Sequence, residues 1–217
     1  MALSYGKNQS VTNTKRTEMR YPKLRELKEA IRALLKGPYT SKFPFKPHEP
    51  FERFRGKPYF YEKDCVGCGA CVQVCPARAI EMEDVAGERI LTLHWDLCIF
   101  CGQCQANCLT AKGIMLSREF DLATTGKRQE LYQQIRKELL LCECCGELIA
   151  PHDQILWAAQ RLGPLAFANT SLFLFYLANI NLIYKEKGVE RKGEDLNRSD
   201  RFRFLCPRCR REAVLKS

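Results

Sequence analysis

Apolar positions recur with helical spacing near the N-terminal end of the chain. They predict an amphipathic helix over residues 22–36, which Pro22 opens and Gly37-Pro38 stops. The apolar face comprises Leu24, Leu27, Ala30, Ile31, Leu34 and Leu35. We expect this face to lie against a membrane surface or a partner subunit, or alternatively to pack on the chain's own domain.

Two later stretches also indicate helices. Leu131, Ile135, Leu139 and Leu140 predict one face of a helix over 121–141. Residues 162–184 contain no Asp, Glu, Lys or Arg and are long enough to cross a bilayer. However, Gly163-Pro164 interrupts the start of this stretch, and several of its residues are Asn, Ser or Thr. Polar side chains are costly in lipid, so we expect a helix buried against partner subunits or the rest of the chain.

Strand-like alternation appears between these helical regions. Ala79–Met82 and Arg89–Trp95 alternate apolar and polar residues, and Ala86-Gly87 lies between them, which predicts a β-hairpin. Residues 38–60 are instead rich in Pro and aromatic residues, a composition that fits neither a regular helix nor a central strand. We expect this segment to be an extended arm that lies on another surface.

Eight of the thirteen cysteines form two copies of the pattern C-x₂-C-x₂-C-x₃-C, 33 residues apart. In bacterial ferredoxins, three cysteines of such a run bind one [4Fe–4S] cluster and the fourth binds the other cluster. The spacing therefore predicts a first cluster on Cys65, Cys68, Cys71 and Cys108, and a second cluster on Cys98, Cys101, Cys104 and Cys75. Zinc is the alternative, but structural zinc sites favour separated pairs over this doubled run. The pattern indicates an electron carrier.

A further set of cysteines forms two C-x₂-C pairs near the C-terminal end. These pairs, Cys142 with Cys145 and Cys206 with Cys209, predict a mononuclear Cys₄ metal site. Zinc is the first choice for a structural metal of this kind, and iron in a rubredoxin-like site is the alternative. Cys144 is a possible substitute for Cys142, although the x₂ spacing favours Cys142.

Charge and composition narrow the classes of function. Residues 1–60 hold 14 Lys/Arg against 5 Asp/Glu, whereas residues 61–120 hold 5 against 8. The formal net charge of +10 also omits cluster thiolates, so part of the basic excess balances internal charge. We therefore expect no nucleic-acid partner. We identify no catalytic residues, and Met1–Gln9 lacks the apolar region of a secretory signal, which favours the cytoplasm.

The segment Phe54-Arg55-Gly56-Lys57-Pro58, the two cysteine runs, the stretch Ile99–Cys104 and the terminal Cys-Pro-x-Cys together resemble one family. It is the polyferredoxin-like subunit of formate hydrogenlyase and related membrane-bound group 4 [NiFe] hydrogenases, which is related to the two-cluster subunit of respiratory complex I. The resemblance implies a subunit that relays electrons from a ferredoxin or a dehydrogenase iron–sulfur subunit to the small and large [NiFe] hydrogenase subunits. It also implies a peripheral position beside membrane-arm subunits, on the cytoplasmic side of the cell membrane.

We therefore expect an α+β fold with a bacterial 2[4Fe–4S] ferredoxin-like core. The expected domains are 1–60 (tail, helix and arm), 61–120 (ferredoxin domain) and 121–217 (helical module with the Cys₄ site). Two alternatives stay open. One is the complex I subunit itself, which the C-terminal cysteine pairs disfavour. The other is a soluble iron–sulfur and zinc protein that senses redox state or binds nucleic acid through Arg208, Arg210 and Arg211.

Overall fold

The computed structural model describes residues 23–37, 40–126, 128–183, 196 and 198–215. The chain divides into two units, 1–49 and 50–217. The boundary leaves residues 50–60 with the ferredoxin unit, and the three-domain division of the sequence analysis stays a prediction. The predicted opening of the first helix at Pro22 lies outside the described residues.

The first unit contains helix α1, Leu24–Lys36. The backbone N–H of Lys23 donates to the Glu26 carboxylate at 3.2 Å, which satisfies one free donor at the start of the helix. The helix ends at Gly37, whose φ of 83° is readily adopted only by glycine. No residue of α1 is buried, and Leu24, Leu34 and Leu35 are among its exposed apolar side chains.

The second unit is built on two antiparallel sheets. Strand β1, Pro58–Phe60, pairs with β4, Ile114–Leu116. The larger sheet has the order β2-β3-β5-β6. Its strands are Ile80–Val85, Glu88–His94, Tyr132–Leu141 and Leu148–Pro151.

The predicted hairpin is confirmed by the pairing of β2 with β3 from Ile80–Leu93 to Val85–Glu88. Ala86 and Gly87 both have positive φ, 52° and 85°, as the tightest hairpin turns require.

The predicted helix over 121–141 is wrong. Its last ten residues are strand β5, which pairs with β3 from Tyr132 to Glu138. Burial alternates along β5, with Ile135, Lys137 and Leu139 on the inner face. Leu131, Ile135 and Leu139 are four residues apart, and this spacing fits both a helix turn and every second alternation of a strand. The buried Lys137 interrupts the apolar alternation that otherwise identifies a strand.

The two cysteine runs fold as an internal repeat. Helix α2, Ala70–Gln73, and helix α3, Gln103–Ala106, lie 33 residues apart, like the runs themselves. Each begins after a glycine with positive φ, Gly69 at 74° and Gly102 at 79°. This left-handed conformation turns the chain between consecutive cysteines, so both glycines are required by the local geometry.

The core lies between the repeat and the larger sheet. Leu91, Leu93 and Ile114 are its most deeply buried large apolar side chains. The Trp95 indole N–H donates to the Pro58 carbonyl at 2.6 Å, which attaches β1 to the end of the hairpin. The exposed ring of Phe51 lies outside this core, whereas Phe54 packs edge-to-face on Phe120 at 6.0 Å.

The C-terminal module is largely helical. Helix α4 spans His152–Leu162, a 3₁₀ segment spans Gly163–Ala168, and helix α5 spans Thr170–Asn179. Another 3₁₀ segment, Arg198–Phe202, precedes helix α6, Pro207–Leu215, and a further one, Arg128–Leu131, precedes β5.

The single helix predicted over 162–184 is therefore wrong. Gly163 ends α4, and the Asn169 side chain accepts from the Leu172 N–H to cap a new helix. Within the described part of the chain, no helix combines the length and the apolar character needed to cross a bilayer.

Candidate metal centres

The first cavity of the ferredoxin core is lined by four cysteines. They are Cys65, Cys68 and Cys71 from the first run and Cys108 from the second. The rest of the lining is mainly apolar and includes Phe60, Val66, Leu91 and Ile114. The structure thus brings the first predicted quartet around one cavity, with the fourth cysteine coming from the opposite run.

The second cavity is the counterpart of the first under the repeat. It is lined by Cys98, Cys101 and Cys104 of the second run and by Cys75 of the first. Pro58, Ile80, Leu93 and Leu116 complete much of its apolar wall. Ile80 and Ile114, at similar places after the two runs, are 4% and 2% exposed, and each lines one cavity.

The donor chemistry of both cavities fits an iron–sulfur cluster. Burial raises the pKa of Cys71 to about 12 and that of Cys104 to about 11. Such thiols do not ionise at neutral pH unless a metal cation replaces the proton. The backbone supplies partial positive charge, because the N–H groups of Ala79 and Phe100 point at the sulfurs of Cys75 and Cys98, at 3.3 and 3.4 Å. N–H bonds to sulfur are a means of setting cluster potential.

A third site lies in the C-terminal module. The sulfurs of Cys142, Cys145, Cys206 and Cys209 all lie within 4.8 Å of one another. Cys145 and Cys206 approach to 3.7 Å between their sulfurs. Four thiolates at a Zn–S distance of about 2.3 Å stand about 3.8 Å apart in a tetrahedron, so this quartet fits a Cys₄ metal. Cys144 packs beside these residues but is not one of the four.

Two backbone elements hold this third site. A tight turn after β5 places the first pair, with the Gly146 N–H bonded to the Cys142 carbonyl at 2.9 Å. The second pair lies at the start of α6, where the Cys206 N–H donates to the Cys142 sulfur at 3.3 Å. Burial opposes ionisation of Cys142, but N–H donors from Cys145, Cys206 and Cys144 outweigh it and lower its pKa to about 7. Burial raises the pKa of Cys209.

The segment that contains Arg55 and Gly56 braces the second cavity. The Arg55 guanidinium donates to the Cys101 carbonyl at 3.1 Å. A Cβ on Gly56 would collide with the backbone carbonyl of Glu119, so only glycine allows this close approach. Lys57 bonds the Glu119 carboxylate at 2.8 Å and lies 4.7 Å from the centroid of Trp95.

Two cations beside the first cavity were missed in the sequence analysis. The buried Lys137 donates from Nζ to the Glu62 carbonyl at 2.6 Å and to Asp153 at 2.9 Å. Arg89 donates to the Gly67 carbonyl at 3.0 Å and pairs with Asp84 through two bonds. The sequence offered no local signal for Lys137, because only Ile135 and Leu139 are apolar between Gln133 and Leu139, and their spacing was interpreted with a helical period.

Comparison with known proteins places this arrangement in a family. Residues 64–112 match the 4Fe-4S dicluster domain. Formate hydrogenlyase subunit 6 of Escherichia coli (strain K12) is 39% identical over 131 residues, which cover 58% of this chain and 70% of that protein. The chain belongs to the formate hydrogenlyase subunit 6 family.

The chain is also similar to subunits of quinone oxidoreductases. NAD(P)H-quinone oxidoreductase subunit I of Gloeobacter violaceus is 29% identical, over 45% of this chain and 50% of that protein. NADH-quinone oxidoreductase subunit I 2 of Geobacter metallireducens is also 29% identical, over 55% and 96%. Among solved structures, a chain of the archaeal membrane-bound sulfane sulfur reductase matches with a TM-score of 0.37 and 30% identity, covering 56% of this chain and 66% of that one.

These comparisons confirm the resemblance noted in the sequence. The chain is a complex I-related, polyferredoxin-like subunit, and its role is iron–sulfur electron transfer. The mixed helix-and-sheet structure agrees with the expected α+β class, and its C-terminal module contains the group of four cysteines.

Proposed function

We propose that this subunit holds two [4Fe–4S] clusters and relays electrons within a membrane-associated hydrogenase of the formate hydrogenlyase type. The first cluster is held by Cys65, Cys68, Cys71 and Cys108, and the second by Cys98, Cys101, Cys104 and Cys75. One observation carries the assignment: each cavity of the core is lined by three cysteines of one run and the fourth of the other. This is the exchange of the fourth ligand seen in two-cluster ferredoxins.

A bound [4Fe–4S] cluster supplies one-electron uptake and release. The protein's part is to hold the thiolates, to direct N–H groups at the sulfurs and to exclude water. Ile80, Leu93 and Ile114 form dry walls, which lower the local dielectric and so strengthen the effect of every nearby charge. Cys75 ends the first run but binds the second cluster, and Cys108 ends the second run but binds the first. Each short helix therefore connects ligands of both clusters, which fixes the distance between the two sites.

The Cys₄ site is proposed to hold zinc in a structural role, with iron as the alternative metal. Its four ligands join the turn after β5 to the start of α6, two elements about 60 residues apart in the chain. A metal at this position closes a long loop and so restricts the unfolded chain strongly. Leu205 and Ala213 pack with the three buried ligands, whereas Cys145 is exposed. Four thiolate ligands leave no open position on a tetrahedral metal, which suits a structural rather than a catalytic role.

The proposed partners are those that the family resemblance implies. Electrons enter from a ferredoxin or from the iron–sulfur subunit of a dehydrogenase, and leave to the small subunit of the [NiFe] hydrogenase pair. The subunit is proposed to lie peripherally, on the cytoplasmic side of the membrane, beside membrane-arm subunits. The exposed apolar face of α1 and the exposed Ile99, 62% accessible beside the second cavity, supply apolar surface for such partners.

Ligand substitution tests the exchange of the fourth cysteine directly. In anaerobically purified full-length protein, Cys65→Ser and Cys108→Ser should alter the same EPR signal of the reduced protein. Cys98→Ser and Cys75→Ser should alter the other signal. Cys144→Ser is the matched control and should leave both signals unchanged. If Cys108→Ser instead alters the signal that Cys98→Ser alters, the assignment of the ligands is wrong.

The complex I subunit is the second candidate, because the Geobacter metallireducens relative is matched over 96% of its length. Isolation from native membranes separates the two. A tagged subunit that brings down a nickel-containing partner supports the hydrogenase assignment. A tagged subunit that brings down a flavin- and NAD(P)H-linked quinone reductase without nickel supports the complex I assignment.

A further inference from the structure

The two halves of the repeat differ in the charges placed beside them. Gly67 in the loop of the first run corresponds to Phe100 in the second, 33 residues later, and both have positive φ, 68° and 54°. The ideal Cβ position of Gly67 lies 3.1 Å from Cβ and Cγ of Lys137 and 3.4 Å from Pro151. The stem of Lys137 therefore packs directly on the ligand loop of the first cavity.

The charged end of Lys137 also stays at this cavity. The residue is only 8% exposed, and its Nζ donates to the carbonyl of Glu62, three residues before Cys65. The Nζ of Lys137 also forms an ion pair with the Asp153 carboxylate at 2.9 Å, in keeping with the rule that buried charges are paired.

The second cavity has a weaker counterpart. Arg55 contacts its ligand loop through the Cys101 carbonyl, but this arginine is exposed, and water and salt screen an exposed charge. Val66 before Gly67 is 9% exposed, whereas Ile99, the equivalent residue of the second run, is 62% exposed. The sheet extension made by β5 and β6 therefore covers one half of the repeat with a desolvated cation.

We infer that the buried positive charge of Lys137 raises the reduction potential of the first cluster relative to that of the second. This inference rests on the proposed cluster ligands. Uptake of one electron from a reductant adds one negative charge inside the thiolate cage, and no bond is made or broken. A buried ammonium beside that cage stabilises the reduced form more than the oxidised form, so it favours reduction there.

The size of the effect follows from Coulomb's law. At an effective dielectric of about 20, two unit charges up to about 10 Å apart change an equilibrium constant by more than tenfold, and Asp153 offsets part of this. We expect Lys137→Met to lower the equilibrium constant for reduction of the first cluster by about tenfold. For one electron this equals a downward shift of about 59 mV.

Removing the negative charge of Asp153 should shift the reduction potential in the opposite direction. Asp153→Asn keeps an oxygen that accepts from Lys137 Nζ but removes the negative charge. It should raise the potential of the same cluster. Arg136→Gln is the matched control, since Arg136 precedes Lys137 on β5, points to the other face and has a side chain that is 62% exposed. It should shift neither cluster.

The experiment is an anaerobic redox titration of the full chain, monitored by the EPR signal of each cluster. The first cluster is identified by the signal that Cys65→Ser alters. Two signals with about eight irons per chain establish the clusters, independently of any shift. A downward shift in Lys137→Met and an upward shift in Asp153→Asn, both confined to the first signal, support the inference. Unchanged potentials in Asp153→Asn, or equal shifts of both signals, overturn it even if Lys137→Met does not fold.

Discussion

Gln133 provides the sharpest test of how the sheet extension supports the ferredoxin core. Its side-chain amide bonds the Phe60 backbone as a neighbouring strand would. Oε1 accepts from the Phe60 N–H at 2.7 Å, and Nε2 donates to the Phe60 carbonyl at 3.0 Å. Phe60 is 5% exposed and lines the first cavity. Gln133→Ala removes both hydrogen-bond partners from the part-buried backbone of Phe60, whereas Gln134→Ala removes only a 3.2 Å bond to Thr92 from an exposed site.

The expected magnitude follows from these contacts. A buried polar group left without a partner costs about 1–3 kcal/mol, and water reaches part of this site, so we take about 2 kcal/mol for the pair. If the loss acts on local opening around Phe60, the open population rises about 30-fold. Gln134→Ala should change it by less than about twofold, as expected for a surface substitution.

The assay is the anaerobic loss of the visible cluster absorbance in excess iron chelator, measured for the full-length protein. Under conditions where opening is fast and reversible, the rate reports the open population. Gln133→Ala should bleach one of the two clusters about 30-fold faster than the unsubstituted protein. Equal rates for Gln133→Ala and Gln134→Ala would refute the claim that β5 secures the first cavity through Phe60.

Two further predictions concern the C-terminal site and acid stability. Cys209→Ser should release the single extra metal while about eight irons remain, measured by metal analysis; loss of iron in parallel would contradict separate sites. The hydrogen bonds from Arg89 lower the pKa of Asp84, so this pair stabilises the fold above the ordinary carboxyl range and the stabilisation is lost as pH falls through the lowered pKa. Asp84→Asn should therefore reduce stability at neutral pH and flatten its acid decline in urea unfolding, whereas an unchanged slope would contradict this linkage.

The chemistry of the core was predictable from sequence, because ligand spacing is local. The eight cysteines of the two runs are separated by two or three residues, and the turns between them depend on Gly69, Gly102 and short helices. The hairpin was predictable for the same reason, since Ala86 and Gly87 lie between two alternating segments.

The failed prediction for 121–141 concerns a segment whose structure depends on contacts with residues distant in sequence. Strand β5 forms because β3 offers a free edge, and Lys137 is tolerated on its inner face because Asp153 and the Glu62 carbonyl receive its charge. None of these partners is visible within the segment itself, so the apolar spacing was interpreted as helical. The break in 162–184 was indicated locally by Gly163-Pro164, but the length of the uncharged stretch outweighed it in the prediction.

Covering of the first cavity is likewise a tertiary effect. The loop that contains Gly67 lies under Lys137 and Pro151, which come from β5 and β6 about 70 to 85 residues later. The internal repeat alone predicts two equivalent cluster sites. The difference between them arises only when the sheet extension packs on one half.

The most direct measurement of the central claim is iron and sulfide analysis with EPR on the full chain purified without oxygen. The account predicts a brown protein with about eight irons and eight sulfides per chain, two cluster signals after reduction and one further metal. A colourless protein that contains only zinc would contradict it.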